Sequence, residues 1–165
     1  LIKEDYRLTN NLKLERFLSP IDKSCNFIFN KFFRKITKNK NKTSKILEIK
    51  GRKIILENFY EKVAKFEFEE LCNRNLGSED YISIANNCNF IFIENLPNFN
   101  EDNSNQQQRF ITLIDIIYEK RIPLMITSQV NLESISSSKS LKEPFKRTVS
   151  RLYELTSINY EARIF

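Results

Sequence analysis

The sequence contains no histidine and no tryptophan, and only two of its 165 residues are glycine. Without histidine, a Ser-His-Asp or Cys-His catalytic site, a histidine general base and a histidine-ligated zinc site are excluded. No apolar run approaches the ~20 residues that cross a bilayer, so no membrane-spanning segment is predicted. The chain begins at Leu1 rather than Met, and we expect it to be part of a longer protein.

Cysteine is also scarce. The three cysteines lie far apart and form no C-x-x-C pair, so they predict neither a disulfide framework nor a zinc knuckle. We expect each of them to be a small buried apolar residue in a protein of a reducing compartment. They are Cys25, Cys72 and Cys88.

The charge is unevenly distributed along the chain. Hydrophobic residues make up 41% and charged residues 29%, which is enough apolar surface for one packed domain or a large piece of one. Residues 1–65 carry a net charge of +10 and residues 66–165 a net charge of −4. This asymmetry raises a nucleic-acid or membrane-surface hypothesis. The 17 Lys, 19 Asn, 21 Ile and 14 Phe also have codons rich in A and T. A genome rich in A and T would therefore give this composition without selection for a partner. We favour this explanation of the basic charge, because basic charge alone indicates only non-specific binding.

Residues 1–62 are predicted to form a basic N-terminal segment with one helix and a β-hairpin. Ser19 and Pro20 are typical of an N-cap and a first helical residue. The hairpin is predicted from strands 46–49 and 53–56, with Gly51 in the turn. Apolar residues of the helix recur every three or four positions, at Ile21, Cys25, Ile28, Phe29, Phe32, Phe33 and Ile36.

Residues 63–165 are predicted to form an α/β module. Alternation of apolar and polar residues predicts a short strand at 63–68. Apolar runs predict buried strands at 90–93 and 123–127. Ser78 and Ser104 are expected to cap two helices, and a last helix is predicted from about residue 144 to 156. A strand, a helix and a strand within about 40 residues form a βαβ unit, which implies a core of parallel strands.

Two of these strands end in polar residues, Glu94-Asn95 and Thr127-Ser128-Gln129. Parallel sheets bind ligands at the carboxyl ends of their strands, and a nucleotide hydrolase holds Mg²⁺ with a carboxylate there. The chain nevertheless lacks the phosphate-binding motif G-x-x-x-x-G-K-[ST]. We therefore favour a structural role for these strand ends and expect that the chain does not hydrolyse ATP by itself.

An ordered series of motifs resembles the C-terminal part of the ZapE-type ATPases, bacterial cell-division ATPases whose mitochondrial relatives act in matrix protein quality control. The series covers nearly the whole chain, and its order makes it specific. It comprises Asp5-Tyr6-Arg7, Phe66-Glu67-Phe68-Glu69-Glu70-Leu71-Cys72, Leu76-Gly77, Asp80-Tyr81, Phe92-Ile93, Pro97, Arg109-Phe110-Ile111-Thr112-Leu113-Ile114-Asp115, Tyr118 and Phe145-Lys146-Arg147-Thr148-Val149-Ser150-Arg151-Leu152-Tyr153-Glu154.

The resemblance implies the C-terminal portion of a P-loop, AAA-like ATPase whose Walker A and Walker B elements lie upstream. The full-length protein would use ATP and Mg²⁺, and this portion would bind neither alone. It would pack against the upstream ATPase core, complete a homo-oligomer interface and engage a division or quality-control target. Its compartment would be the bacterial cytoplasm, or the mitochondrial matrix in a eukaryote. A truncated or decayed gene product without activity is the remaining alternative.

Two arginines on the last predicted helix are the candidate site residues. Arg147 and Arg151 are four residues apart, so both project from one helix face. Their position in the resembling motif implies that one of them contacts the nucleotide phosphates, as arginine fingers do. The alternative is that Glu143 and Glu154 neutralise them as surface pairs. Asp115 is expected either to face solvent or to pair with a cation, such as Arg109.

The rival hypothesis is a nucleic-acid-binding module. Its basic stripe would be residues 31–53, with Phe29, Phe32 and Phe33 as stacking rings. Stacking platforms need exposed rings, whereas these three lie on the apolar face of the predicted helix. We therefore expect them to be buried and do not favour nucleic acid as a partner.

Overall fold

The computed structural model describes residues 16–158, so the motif Asp5-Tyr6-Arg7 lies outside the described residues. Its centre is a six-stranded sheet in the order β1-β6-β5-β4-β3-β2. The pairings β1–β6, β6–β5 and β5–β4 are parallel, and the pairings β4–β3 and β3–β2 are antiparallel. The strands are β1 (Phe17–Leu18), β2 (Lys42–Ile49), β3 (Arg52–Tyr60), β4 (Val63–Glu67), β5 (Phe90–Leu96) and β6 (Leu124–Ser128).

Five α-helices and two short 3-10 turns connect the described strands. The helices are α1 (Lys23–Thr37), α2 (Phe68–Cys72), α3 (Ser78–Asn86), α4 (Ser104–Glu119) and α5 (Lys142–Leu155), and the 3-10 turns are Glu101–Asn103 and Lys139–Leu141. The predicted βαβ unit is β5-α4-β6, whose two strands are parallel neighbours. The predicted α/β class with a parallel core, an N-terminal helix and a hairpin is therefore confirmed. No helix within residues 16–158 is both long and apolar enough to cross a bilayer.

The central strands are apolar on both faces because each face is covered by helices. On one face, Phe90 and Phe92 of β5 pack with Phe29 and Phe33 of α1. On the other face, Ile91 and Ile93 of β5 belong to the larger core beneath the remaining helices. Alternation along a strand assigns successive side chains to opposite faces. Of the described helices, α1 thus packs on one side of the sheet, and α4 and α5 pack on the opposite side.

Helix α1 begins three residues later than predicted. Asp22, not Ser19, is its N-cap, and the Asp22 carboxylate accepts a hydrogen bond from the backbone N–H of Cys25 at 2.8 Å. A carboxylate caps a helix at least as well as a hydroxyl and also interacts favourably with the helix dipole. Pro20 therefore lies in the preceding loop. Serine is likewise the first residue rather than the cap in α3 and α4, which are capped by Gly77 and Asn103.

The apolar face of α1 is only partly as predicted. Phe29 is fully buried and Phe33 is 7% exposed, so neither ring can stack on a base. Ile28 was expected on the same face but is 45% exposed. The neighbouring ring of Phe27 is 61% exposed and was not expected to be notable.

The predicted hairpin is confirmed, with strands longer than expected. Gly51 adopts a φ of 80° in the turn, a left-handed conformation that favours glycine. Strand β3 continues by antiparallel pairing into β4, so one sheet extends across the predicted boundary between residues 62 and 63. The division of the chain at that boundary stays a prediction.

Two ion pairs join the hairpin to α3. Arg52 donates a hydrogen bond to Asp80 at 2.7 Å, and Lys50 lies 2.7 Å from Glu79. Asp80 is only 2% exposed, and its second oxygen accepts a hydrogen bond from the backbone N–H of Gly77 at 2.8 Å. Asp80 therefore stabilises the first turn of α3, as its position suggested, and also anchors the hairpin.

Each of the three cysteines is buried and unpaired with another cysteine, as expected. Burial raises the pKa of Cys88 to about 12, and it also raises the pKa of Cys72. A thiol with a raised pKa is a poor nucleophile because the thiolate is the reactive form. The cysteines therefore serve as apolar core residues.

Candidate functional site

The carboxyl ends of the parallel strands meet at one edge of the sheet. Glu67 ends β4, Glu94 and Asn95 lie near the end of β5, and Ser128 ends β6. The pairing register places Glu67 beside Glu94. Open α/β sheets bind ligands at this edge, so these polar groups are the first candidates for a binding site.

Glu94 is the carboxylate that the sequence analysis singled out at this edge. Its side chain is 22% exposed and lies 4.0 Å from the ammonium group of Lys65, which is 21% exposed. Burial raises the pKa of the Glu94 carboxyl, whereas Lys65 opposes that shift and the nearby Glu67 and Glu70 reinforce it. The Lys65 ammonium also lies 4.7 Å from the centre of the Phe33 ring. Glu94 is therefore a half-buried carboxylate already engaged with a cation.

Asn95 fastens three neighbouring strands together. Its backbone N–H donates to the hydroxyl of Thr127 on β6 at 2.8 Å, and its side-chain amide donates to Glu67 on β4 at 2.8 Å. Asn95 has a φ of 65°, a left-handed conformation that asparagine tolerates better than most residues. The β5–β6 register shifts at the same place, between Ile93 and Leu96. The polar groups of Asn95 at this edge are thus hydrogen-bonded to side chains of the neighbouring strands.

Among residues 16–158, this edge holds no cluster of three metal-ligating side chains and no glycine-rich loop. Within residues 16–158, no three histidine, cysteine, aspartate or glutamate side chains converge on a point where a metal ion could bind. The loop from β1 to α1, which lies beside β6, contains no glycine between Ser19 and Asp22. A helix N-terminus can bind phosphate through its free N–H groups, but the Asp22 carboxylate already accepts one of them.

The two candidate arginines lie on α5 and share one acid on α4. Arg151 donates to one oxygen of Asp115 at 2.5 Å, and Arg147 donates to the other at 3.2 Å. The expected partner of Asp115, Arg109, instead donates to the backbone carbonyl of Cys72 at 3.0 Å. The expectation that Asp115 pairs with a cation is confirmed, but its partners are Arg147 and Arg151, because α5 packs against α4 and brings two guanidinium groups to the same carboxylate.

The acids proposed to neutralise the arginines have other partners. Glu143 pairs with Lys146 at 3.0 Å. Glu154 accepts a hydrogen bond from the hydroxyl of Tyr118 at 3.1 Å and lies 3.4 Å from Arg121. The alternative, in which acids neutralise the candidate arginines, is thus correct in kind but wrong in the residues, because the acid is Asp115 rather than Glu143 or Glu154.

The two arginines differ in how firmly they are held. Arg151 is 22% exposed and lies with its guanidinium carbon 4.4 Å from the centre of the Tyr118 ring, a cation–π contact. Arg147 is 54% exposed, and its contact with Asp115 is longer. Contacts with Asp115 and Tyr118 therefore hold Arg151 against α4. Arg147 has a solvent-facing guanidinium, and it shares Asp115 with Arg151.

No motif of fixed spacing could have predicted these contacts. Asn95 and Glu67 are 28 residues apart, and Arg151 and Asp115 are 36 apart. The single available signal was topological, since the ends of adjacent parallel strands must be neighbours. That signal pointed to Glu94 and Asn95 but not to the acid on the preceding strand.

The described residues form an α/β domain with a mostly parallel six-stranded sheet, and the sequence contains no G-x-x-x-x-G-K-[ST] phosphate-binding motif. The model of the AFG1-like ATPase family matches residues 3–164. The chain belongs to the AFG1-like ATPase family.

Two curated relatives are similar to this chain at 27% and 30% identity. Cell division protein ZapE of Escherichia coli K12 is 27% identical over 159 residues, which is 96% of this chain and 42% of the relative. Lactation elevated protein 1 homolog B of Danio rerio is 30% identical over 91 residues, 55% of this chain and 18% of that protein. The chain thus spans less than half the length of either relative. No solved structure matches it.

Proposed function

We propose that this chain is the C-terminal portion of a ZapE-like ATPase, in which ATP hydrolysis is coupled to cell division or protein quality control. In this proposal the Walker A and Walker B elements belong to the upstream ATPase core, and the chain is not catalytic alone. The observation that carries the proposal is the match of the AFG1-like ATPase family model to residues 3–164, in a sequence that contains no G-x-x-x-x-G-K-[ST] motif. The β1–α1 loop, which joins a strand to a helix, is in addition capped by a carboxylate.

The Asp22 carboxylate opposes phosphate binding in two ways. It accepts the backbone N–H of Cys25, which is one of the donors that a phosphate would need. It also places a negative charge at the N-terminus of α1, where it would repel a phosphate. The loop has no glycine that would let the backbone curl around a phosphate. These features favour the proposal that this chain does not hydrolyse ATP by itself.

ATP and Mg²⁺ are the cofactors proposed for the full-length protein, and the polar strand ends of this chain do not fit either of them. Glu94 pairs with Lys65, and Asn95 is engaged with Thr127 and Glu67. We therefore assign neither nucleotide binding nor Mg²⁺ binding to these strand-end residues.

Calorimetric titration of the 165-residue chain with ATP and Mg²⁺ tests this part of the proposal. We expect no measurable heat of binding at micromolar nucleotide, because the sequence has no phosphate-loop motif and the described residues 16–158 form no glycine-rich phosphate cradle. An Asp22→Asn variant is the matched control, since it removes the charge and keeps a capping side chain. Micromolar affinity of the unsubstituted chain for ATP would contradict the proposal.

In the full-length protein, we propose that one of Arg147 and Arg151 contacts the nucleotide phosphates in its own or a neighbouring subunit. The half-exposed guanidinium of Arg147 supports it as the residue that reaches outward. Loss of a phosphate-contacting arginine lowers turnover by on the order of 10³ or more. Loss of a surface ion pair would change only stability, by at most about 1 kcal/mol.

The test is ATP turnover by the full-length protein carrying Arg147→Ala or Arg151→Ala. Lys146→Ala is the matched control, because it removes a neighbouring cation with a similar exposed ion pair. We expect a large loss of turnover for one arginine variant and little change for Lys146→Ala. If both arginine variants stay folded and hydrolyse ATP within a few-fold of the parent, both arginines are structural.

The same proposal sets the partners and the compartment. The chain would pack against the upstream core, contribute to a homo-oligomer and engage a protein target of division or quality control. The compartment would be the bacterial cytoplasm, or the mitochondrial matrix in a eukaryote. The name of the Escherichia coli relative, a cell division protein, supports the bacterial version.

A further inference from the structure

A groove of about 550 Å³ lies between α1 and β6, on the face of the sheet opposite α4 and α5. It is therefore separate from the candidate arginines. Its apolar lining includes Phe27, Ile28, Phe32 and Met125. Met125 is 1% exposed and forms part of the floor, because it belongs to the core beneath α1.

The outer wall of the groove is unusually apolar for a helix surface. Phe27 is 61% exposed and Ile28 is 45% exposed, and both are large hydrophobic side chains in adjacent positions of α1. Ile28 and Phe32 are four residues apart, so they lie on the same side of the helix. Exposed apolar side chains grouped around a concave surface are typical of a binding site, whereas scattered ones need no explanation.

The charge at the groove has one sign. Arg16, Lys31 and Lys35 line it, and among residues 16–158 no acidic residue does. Residues 23–47, which include all of α1, contain eight lysines and arginines and no acidic residue. Among residues 16–158, neither lysine has a carboxylate partner. An occupant that offers carboxylates beside apolar side chains would match both features.

We propose that this groove binds an acidic amphipathic helix of a partner protein. From Phe27 to Lys35 the helix rises about 12 Å, or about two turns. A partner helix of similar length would place apolar side chains at i and i+4 against Phe27 and Ile28, with flanking carboxylates toward Lys31 and Lys35. This is the helix-in-groove mode of recognition.

Nucleic acid fits the groove less well. Bases stack on exposed aromatic rings, and Phe27 is the one large exposed aromatic side chain in the described part of the chain. Ile28 and Met125 offer aliphatic surface, which packs against apolar side chains but provides no stacking. A lipid bilayer is flat, whereas this surface is concave.

The experiment is fluorescence anisotropy of the 165-residue chain with a labelled synthetic helical peptide of about 18 residues, roughly five turns. The peptide carries leucines at i, i+3, i+4 and i+7 and glutamates on both sides of them. A matched peptide has glutamine at every glutamate. We expect the glutamate peptide to bind at least about tenfold more tightly, since charge complementarity adds to apolar contact.

Two pairs of variants localise the binding. Lys31→Glu with Lys35→Glu should weaken the glutamate peptide by about tenfold or more. Lys38→Glu with Lys40→Glu makes the same change in net charge outside the groove lining, and it should have less than about a twofold effect. Phe27→Ser should also weaken binding, and its ring is exposed enough that the fold does not depend on it.

Three results would overturn the proposal. One is equal affinity of the glutamate and glutamine peptides, or no binding of either. Another is equal weakening by the two double variants, since binding would then follow net charge rather than the groove. The third is binding of single-stranded DNA or of anionic phosphatidylserine vesicles at physiological salt, if that binding depends on Phe27 and Lys31 and binding of the peptide does not depend on them.

Discussion

Arg52 is a half-exposed surface residue whose loss is expected to be costly. It pairs with Asp80 at 2.7 Å, and exposure of the two side chains is 50% and 2%. Two residues away, Lys50 pairs with Glu79 at the same distance, with exposures of 73% and 52%. Both pairs join the same hairpin to the first turn of α3, so they differ chiefly in the burial of the acid.

Burial of Asp80 determines the expected magnitude. If Arg52 becomes glutamine, Asp80 keeps the N–H of Gly77 but loses its cation. A fully buried pair broken in this way costs several kcal/mol. Arg52 is half exposed, so water can reach the vacated side and the coupling is expected to be about 2 kcal/mol. For Lys50 and Glu79, which are both exposed, about 0.5 kcal/mol or less is expected.

Two double-mutant cycles measure these couplings. One combines Arg52→Gln with Asp80→Asn, and the other combines Lys50→Gln with Glu79→Gln. Urea denaturation gives the free energy of unfolding of each variant, and the cycle isolates the pairwise coupling. A loss of about 2 kcal/mol corresponds to a fall in melting temperature of about 4–8 °C for a chain of this size. Equal couplings in the two cycles would refute the reasoning that burial of the acid sets the energy.

Two further predictions concern charge. Glu94→Gln is expected to raise the melting temperature at neutral pH, because burial raises the pKa of Glu94 and the ionised form is therefore destabilising. The gain should vanish below the ordinary glutamate pKa of about 4.3, where the native carboxyl is already protonated; the exposed Glu48→Gln is the control, and a gain that persists at low pH would contradict the argument. The basic residues 31–53 are expected to bind DNA weakly, without sequence preference, and to release it by physiological salt. Nanomolar binding that survives that salt in a filter-binding titration would instead favour the nucleic-acid hypothesis.

The sequence predicted most of the sheet because its central strands carry a strong local signal. The run 90–93 is apolar at every position, and the structure covers β5 on both faces. Helix boundaries were less accurate. Serine at 19, 78 and 104 resembled a cap, yet Asp22, Gly77 and Asn103 are the N-caps. Several residues near a helix start can satisfy its free N–H groups, so composition alone does not select one.

The contacts of the candidate site were less predictable than its residues. The sequence analysis named Arg147, Arg151 and Asp115, but their mutual contact depends on how α5 packs against α4. Tyr118, one turn beyond Asp115, completes that packing under Arg151. Such contacts join residues more than 30 positions apart, and a periodic pattern reports only which face of each helix is apolar.

The strand order has a consequence for synthesis of the chain. Strands β1 and β2 flank α1 in the sequence but lie at opposite edges of the sheet. The apolar face of α1, with Phe29 and Phe33, is covered by Phe90, Phe92 and Met125, which the ribosome adds up to roughly 100 residues later. At about 5–20 residues per second, that face waits for about 5–20 s before its covering strands exist. During this interval, the aromatic rings of α1 that the finished fold buries remain exposed to solvent beside its lysines.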